Sequence, residues 1–290
     1  MALTRLQPGS PSLLVMRFFS LVWFLIVTHC LAGSAEGLKI SWTNNLLTIS
    51  NSRLPNGKLE VWYLEAFCRS DAWGRDWNKT TLPHKTTLVW SDSARTRLKF
   101  HTLVEPDVEV EHEIRAATDE LDLRFRLTNH GKERVDLQWF QPACIRVAGF
   151  TGCDQNTYID RSFIFTADGL TRLSGLRRTT NALYLGGQVY LPATVAERDA
   201  NPRPICGDHP VNGLIGCFSA DDRWLLATAS DHTHELFEGV YVCLHSDPEV
   251  GGLAPGETKR LHSKIYLLPN NPSALLKRYG GDFPKSNRVW

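Results

Sequence analysis

Beyond residue 35 the chain lacks any apolar run that could cross a bilayer as a helix, which takes roughly 20 residues, so no membrane span is expected in the mature part. Charge of one sign is also missing. With 32 Lys+Arg against 31 Asp+Glu, a formal net charge of +1 and the signs interspersed, the protein has no field to gather nucleic acid or acidic lipid. A Gly-x-Ser-x-Gly elbow, a glycine-rich phosphate loop, a dinucleotide fingerprint and paired Cys-x-x-Cys knuckles are all absent. Their absence removes the usual supports for a serine esterase, a nucleotide enzyme or a zinc finger. No organic-cofactor motif is visible, so none is expected and redox chemistry fits poorly. Internal repeats and low-complexity linkers are missing too. What is present is 42% hydrophobic residues and 9 Trp, enough apolar surface for a real core in 290 residues.

Residues 1–35 read as an export signal: Arg5 and Arg17 are basic, the run from Phe18 to Val27 is apolar, and Ala32, Gly33, Ser34 and Ala35 are small enough for cleavage. The expected layout is a signal peptide over 1–35 and one domain over 36–290, secreted or periplasmic. Loss of Cys30 leaves an even number of the seven cysteines, which suits an oxidising compartment. Closeness in sequence pairs Cys144 with Cys153 and Cys206 with Cys217, leaving Cys68 with Cys243 as a long-range pair, with buried free thiols as the alternative.

Period-two alternation dominates the rest. Leu59, Val61 and Tyr63 alternate with Glu60, Trp62 and Leu64, and similar runs lie near Leu98 to Leu103 and Leu261 to Leu268. In Val108 to Arg115 and Leu121 to Thr128 a hairpin register follows from the side chains. Arg115 opposite Asp122 places Glu113 opposite Arg124 and Glu111 opposite Arg126, while Ile114 meets Leu123 and Val110 meets Leu127. The glutamates are thereby explained as a polar sheet face rather than a catalytic array. His112 falls on the apolar face and reads as a hydrogen-bonded core histidine. Further strands are expected at Val135 to Phe140, Phe163 to Thr166, Leu183 to Leu191, Leu214 to Phe218, Trp224 to Ala229 and Val240 to His245. One helix stands out near the C-terminus: Asn271 can cap it, Pro272 suits its first position, Leu275 and Tyr279 supply an apolar side, and Gly280 can end it. The pattern predicts an all-β fold, a large antiparallel β-sandwich with a short C-terminal helix.

Two segments carry candidate chemistry. In Ser230 to Glu238, His232 and His234 at i and i+2 share a strand face, and Glu238 keeps that parity, a set that could hold one divalent metal ion or do acid/base work. In Phe67 to Thr81, Trp73, Arg75, Asp76 and Trp77, followed by His84, combine indole faces with planar donors and acceptors, the mixture that binds sugar rings.

The spacing His-x-His-x3-Glu resembles the first metal motif of the cupin family, and Pro255, Gly256 and His262 loosely resemble its second, although Leu226 and His245 stand where that family has glycines. Three segments, Lys58 to Cys68, Asn212 to Ala220 and Gly252 to Lys259, resemble an uncharacterised family of secreted bacterial β-rich proteins. More distantly, the strand-rich chain with its closing Pro-Gly-Glu turn is similar to galactose-mutarotase-like super-sandwich proteins. That resemblance implies carbohydrate recognition on a concave sheet face, with a histidine and a carboxylate doing proton transfer. His84, His232 or His234 with Glu65 or Glu238 could be such a pair. The leading expectation is therefore a secreted carbohydrate-recognising β-sandwich, acting, if catalytic, as an epimerase, lyase or hydrolase through His232, His234 and Glu238. Its competitors are a cupin-like metalloprotein using the same three residues and a non-catalytic envelope interaction module.

Overall fold

Alternation along the chain becomes two antiparallel sheets in the computed structural model, which describes residues 36–71, 76–182 and 184–284. The signal peptide expected over residues 1–35 lies outside the described residues. The first sheet runs β1 (Lys39–Thr43), β2 (Leu46–Ser50), β3 (Lys58–Cys68), β9 (Trp139–Arg146), β16 (Cys243–Pro248), β15 (Thr233–Gly239) and β12 (Gln188–Tyr190), with β4 (Thr81–Leu82) paired to β3. The second runs β11 (Gly169–Arg172), β10 (Ser162–Thr166), β13 (Ile215–Phe218), β14 (Trp224–Ser230), β17 (Thr258–Pro269), β8 (Glu120–Asn129), β7 (Val108–Ala116), β6 (Arg97–Val104) and β5 (His84–Ser91). This is the antiparallel sandwich expected from the pattern.

The β7–β8 hairpin has the register that charge and hydrophobicity select: Arg115 pairs with Asp122, Glu113 with Arg124, Glu111 with Arg126 and Ile114 with Leu123. Its apolar face joins a core shared by both sheets, in which Tyr63, Phe67 and Phe140 of the first meet Phe100, Ile114 and Phe125 of the second. Each such side chain, fully buried, contributes about 1.5–3 kcal/mol. His112 sits inside this core, its Nδ1 2.6 Å from the Tyr63 hydroxyl and its Nε2 2.9 Å from that of Thr102. Burial, and secondarily His101, lowers its pKa to about 3, so it is a neutral link between the sheets.

Two four-residue helical turns, α1 (Trp77–Thr80) and α2 (Ala148–Thr151), precede the helix α3 (Pro272–Asp282), which starts where expected, the Asn271 side chain accepting from the Ala274 amide at 3.0 Å. It runs past Gly280, because Tyr279 and Phe283 pack on the outer face of the second sheet with Phe163, Leu225 and Tyr266. Three strands are shorter than their alternation suggests. Val135 makes only an isolated bridge to Leu253, so β9 begins at Trp139; β12 keeps three residues of the expected run; and Val242, at φ 54°, delays β16 to Cys243.

The expected disulfides do not form: Cys68, Cys144, Cys153, Cys206, Cys217 and Cys243 are all free. Strand faces separate one of the expected pairs: Cys144 lies opposite Trp62 on the outer face of the first sheet, whereas Cys153 packs against the shared core. Cys68 also lies on the outer face, beside Ala66 and Trp139, and Cys206 and Cys217 are buried in the shared core.

Candidate functional site

The outer face of the first sheet is where polar chemistry concentrates, and two β-bulges put it there. On β3, Tyr63 pairs with Ala143 and Ala66 with Gln141, one residue too many on β3, and Leu64 takes φ 53° to absorb it. The insertion buries Leu64 in the core and turns Glu65 to the outer face. His84 supports the distortion: its Nε2 lies 3.1 Å from the Leu64 carbonyl oxygen and its ring packs edge-on against Phe67. On β15, Thr233 pairs with Pro248 and Glu235 with Asp247, so His234 is the extra residue. After it, Glu235 and Phe237 face outward opposite Asp247 and His245, while Leu236 and Glu238 face inward.

Glu235, Asp247, His245 and Glu65 therefore form a polar row across β15, β16 and β3. The His245 Nδ1 is 3.9 Å from Asp247 Oδ1, and its Nε2 is 3.8 Å from Glu65 Oε2. Gln141 Nε2 donates to Asp247 Oδ2 at 3.1 Å, and the Asn201 amide donates to Glu235 Oε2 at 2.8 Å. Among the described residues, Glu65 Oε2, Glu235 Oε1, Asp247 Oδ1 and His245 Nδ1 are buried with no hydrogen-bond partner. Four orphaned polar atoms in one row are costly to leave unpaired and mark the face as built for something else than stability. Glu65 is the member that reaches solvent, its side chain 34% exposed against 1% or less for His245 and Asp247.

Charge in the row is held by mutual contacts. Burial, reinforced by Asp247, pushes the Glu235 carboxyl well up, and burial likewise raises Asp247 against the opposing pull of His245. Opposed carboxyls in a dry site retain a proton between them. For His245, burial works against the imidazolium, but Cys144, Asp247 and Glu65 outweigh it and push its pKa up to about 10. The Cys144 thiol is itself held protonated at neutral pH, raised by its contact with Cys243 and by burial, so the lift that operates there comes from the two carboxylates.

Aromatic rings flank the row. The ring of Trp77, in the short α1 turn (Trp77–Thr80), lies 6.4 Å from Trp139, which stacks on His234 at 5.6 Å, and the Arg203 guanidinium sits 5.9 Å over Trp77. Trp139 Nε1 and His234 Nε2 both donate to the Asp199 carbonyl oxygen, at 2.9 and 3.0 Å. These bonds tie the 191–203 segment over this end of the sheet.

The residues singled out from sequence scatter. His232 lies in the turn before β15, at φ 47° and with its side chain 60% exposed. His234 is buried against Trp139, its pKa lowered to about 4 by burial. Glu238 points to the opposite side of the sheet, where it pairs with Arg178. The bulge at His234 breaks the parity that would have aligned these three, and they form no cluster of metal donors among the described residues. Asp76 caps α1 through the Asn78 amide and pairs with Lys79 at 3.2 Å. Trp77 borders the row and His84 holds up the Glu65 bulge, whereas Trp73 and Arg75 lie outside the described residues. The sequence reading passed over Glu235, Asp247 and Gln141, and noted His245 only as a departure from a glycine. A trough of about 1080 Å³ on the outer face of the second sheet carries Glu111, Glu113 and Arg126, but its glutamates pair with Arg126, Arg97 and Arg115, as befits a solvated sheet surface.

Fold and side chains thus define a two-sheet β-sandwich with a row of titratable side chains, most of them buried, on one outer face. No family model and no curated protein matches the chain. Solved structures similar to it include a protein of Synechocystis sp. PCC 6803, at 10% identity and TM-score 0.48 over 80% of this chain and 95% of that one. A galactose mutarotase-like protein of Lactobacillus casei is similar at 11% identity and TM-score 0.41, over 80% of this chain and 100% of that one. A galactose mutarotase related enzyme of Lactobacillus acidophilus is similar at 9% identity and TM-score 0.39, over 79% and 97%. Among the described residues no helix is long and apolar enough to cross a membrane.

Proposed function

We propose that the protein is exported, binds a carbohydrate over the outer face of the first sheet, and exchanges a proton with it through Glu65. The observation that carries this reading is the Glu65 carboxylate itself. A bulge turns it out of the core, one oxygen is buried without a hydrogen-bond partner 3.8 Å from His245, and the side chain is partly exposed to solvent. A carboxylate so placed can accept or return a proton, while His245, Asp247 and Glu235 behind it set the charge it works against. Trp77, half-buried beside Trp139 at the edge of the row, offers aromatic surface of the kind that a sugar ring packs against. Proton transfer to or from a carbon or oxygen of the sugar is the step shared by epimerases, lyases and hydrolases. Export rests on the basic, apolar and small-residue sequence of positions 1–35.

The test is an oligosaccharide and polysaccharide array followed by turnover assays on any binder, with Glu65→Gln and Trp77→Ala beside the parent protein. Glu65→Gln keeps the shape and removes the proton acceptor, so binding should persist while turnover falls roughly 100-fold or more. Trp77→Ala should weaken binding. Absence of glycan binding, or full turnover in Glu65→Gln, overturns the reading.

A further inference from the structure

The sugar reading makes no use of the two cysteines beside His245. Cys144 faces outward with its partner Trp62, and alternation along β16 puts Cys243 on the same side as His245. Cys243 Sγ lies 3.4 Å from His245 Nε2, and the donor atoms of Cys144, Cys243 and His245 all lie within 4.8 Å of one another, in three buried residues. On one tetrahedral zinc ion, with Zn–S about 2.3 Å and Zn–N about 2.0 Å, a sulfur and a nitrogen stand roughly 3.5 Å apart and two sulfurs roughly 3.8 Å. The observed cluster needs little contraction to meet that geometry.

Two independent features point the same way. Glu65 Oε2, buried and unpartnered, stands 3.8 Å from the same His245 nitrogen, where a fourth coordination position would open. On the far side of the ring, His245 Nδ1 and Asp247 Oδ1 are both unpartnered and 3.9 Å apart. That is the carboxylate–histidine order by which ligating histidines are held in one tautomer.

We propose that Cys144 Sγ, Cys243 Sγ and His245 Nε2 hold one thiophilic divalent cation of the zinc class, with Glu65 beside its fourth position. Two sulfurs and an imidazole select such an ion over magnesium or calcium, which prefer oxygen donors. Three protein ligands leave room for one exchangeable group, as in catalytic rather than structural sites. The inference deepens the sugar reading, and rests on it only for what the fourth position would meet. A cation there would polarise a sugar oxygen next to the Glu65 carboxylate.

The experiment uses the purified, reduced, untagged protein dialysed against Zn²⁺, with metal content measured by mass spectrometry and Co²⁺ substituted to report thiolate coordination by its charge-transfer absorption. One equivalent per chain is expected, with affinity lowered at least about 100-fold in Cys144→Ser and Cys243→Ser and about 10- to 100-fold in Asp247→Asn. Circular dichroism reads the fold of each variant. Should a cysteine variant fail to fold, the cobalt spectrum of the parent protein and the Asp247→Asn affinity decide. The proposal is overturned by absence of stoichiometric zinc, by unchanged affinity in the cysteine variants, or by recovery of Cys144 and Cys243 as a disulfide. Zinc binding is read without any sugar. Bound zinc with full turnover in Glu65→Gln sinks the sugar reading alone, and Glu65-dependent turnover without zinc sinks the metal site alone.

Discussion

His112 gives the sharpest quantitative consequence of the core. Its pKa is lowered to about 3 by burial, against 6.5 when the residue is in water. Above pH 6.5 neither the folded nor the unfolded chain protonates it, and its contribution to stability is flat. As pH falls below 6.5 the unfolded chain takes up a proton that the fold refuses, and stability is lost at about 1.4 kcal/mol per pH unit until about pH 3. From pH 7 to pH 5 the loss attributable to this one imidazole is about 2 kcal/mol. His112→Phe keeps the ring between Phe100, stacked at 4.9 Å, and Phe125, at 5.8 Å, while removing the titration. The substitution costs about 1–3 kcal/mol at pH 7 by orphaning the buried Tyr63 hydroxyl, a cost that adding Tyr63→Phe should relieve. Denaturant unfolding at pH 7 and pH 5 separates the two effects. Other groups titrate in both proteins, among them His234, so the quantity to read is the pH-induced loss in the parent minus that in the variant. That difference should be about 2 kcal/mol. Equal losses in the two proteins would refute the argument, because His112 would then take up its proton in the fold as readily as outside it.

Two other substitutions test the local physics. Asn271→Ala removes the acceptor for the Ala274 amide at the start of α3 and should cost about 1 kcal/mol in urea unfolding, with Asn271→Asp retaining most of the stability. Gly187→Ala should cost about 3 kcal/mol or more, because Gly187 has φ +104° and a Cβ there would fall 1.7 Å from the Glu238 carbonyl oxygen. A thermal melt within a degree or two of the parent would contradict the latter.

Much of the scaffold was legible in the sequence because it obeys one rule. Where a strand keeps its period of two, side chains name their own partners, and so the Arg115–Asp122, Glu113–Arg124 and Glu111–Arg126 pairs could be written down before any coordinates. The Asn271-Pro272 start of α3 was equally readable, since capping depends on neighbours in sequence. Its end was not, because the packing of Tyr279 and Phe283 against Phe163 and Tyr266 on the second sheet carries the helix past Gly280. The cysteines misled for a related reason. Sequence distance favoured Cys144 with Cys153, whereas strand pairing brings Cys144 to Cys243 and His245.

The candidate site was hidden because it depends on breaking the same rule. On β15 the extra residue inverts every side chain beyond it, while on β3 the bulge exchanges only the faces of Leu64 and Glu65 and leaves Tyr63 and Phe67 both in the core. Parity counted from His232 places Glu238 with the histidines. Parity corrected at His234 sends Glu238 inward to Arg178 and brings out Glu235, which alternation alone would have buried on the other side. Glu65 likewise reaches the outer face only because Leu64 accepts a positive φ, a conformation that costs an ordinary side chain energy and that His84 helps to hold. His245 and Asp247 needed no bulge, yet nothing in Cys243-Leu-His-Ser-Asp247 distinguishes them from any alternating strand until the neighbours that leave them unpartnered are in place. Among the described residues distortion and orphaned polar atoms coincide in this row, and neither serves the stability of the sandwich. That coincidence is the physical ground for proposing the functional site there and not on the charge-paired trough of the second sheet.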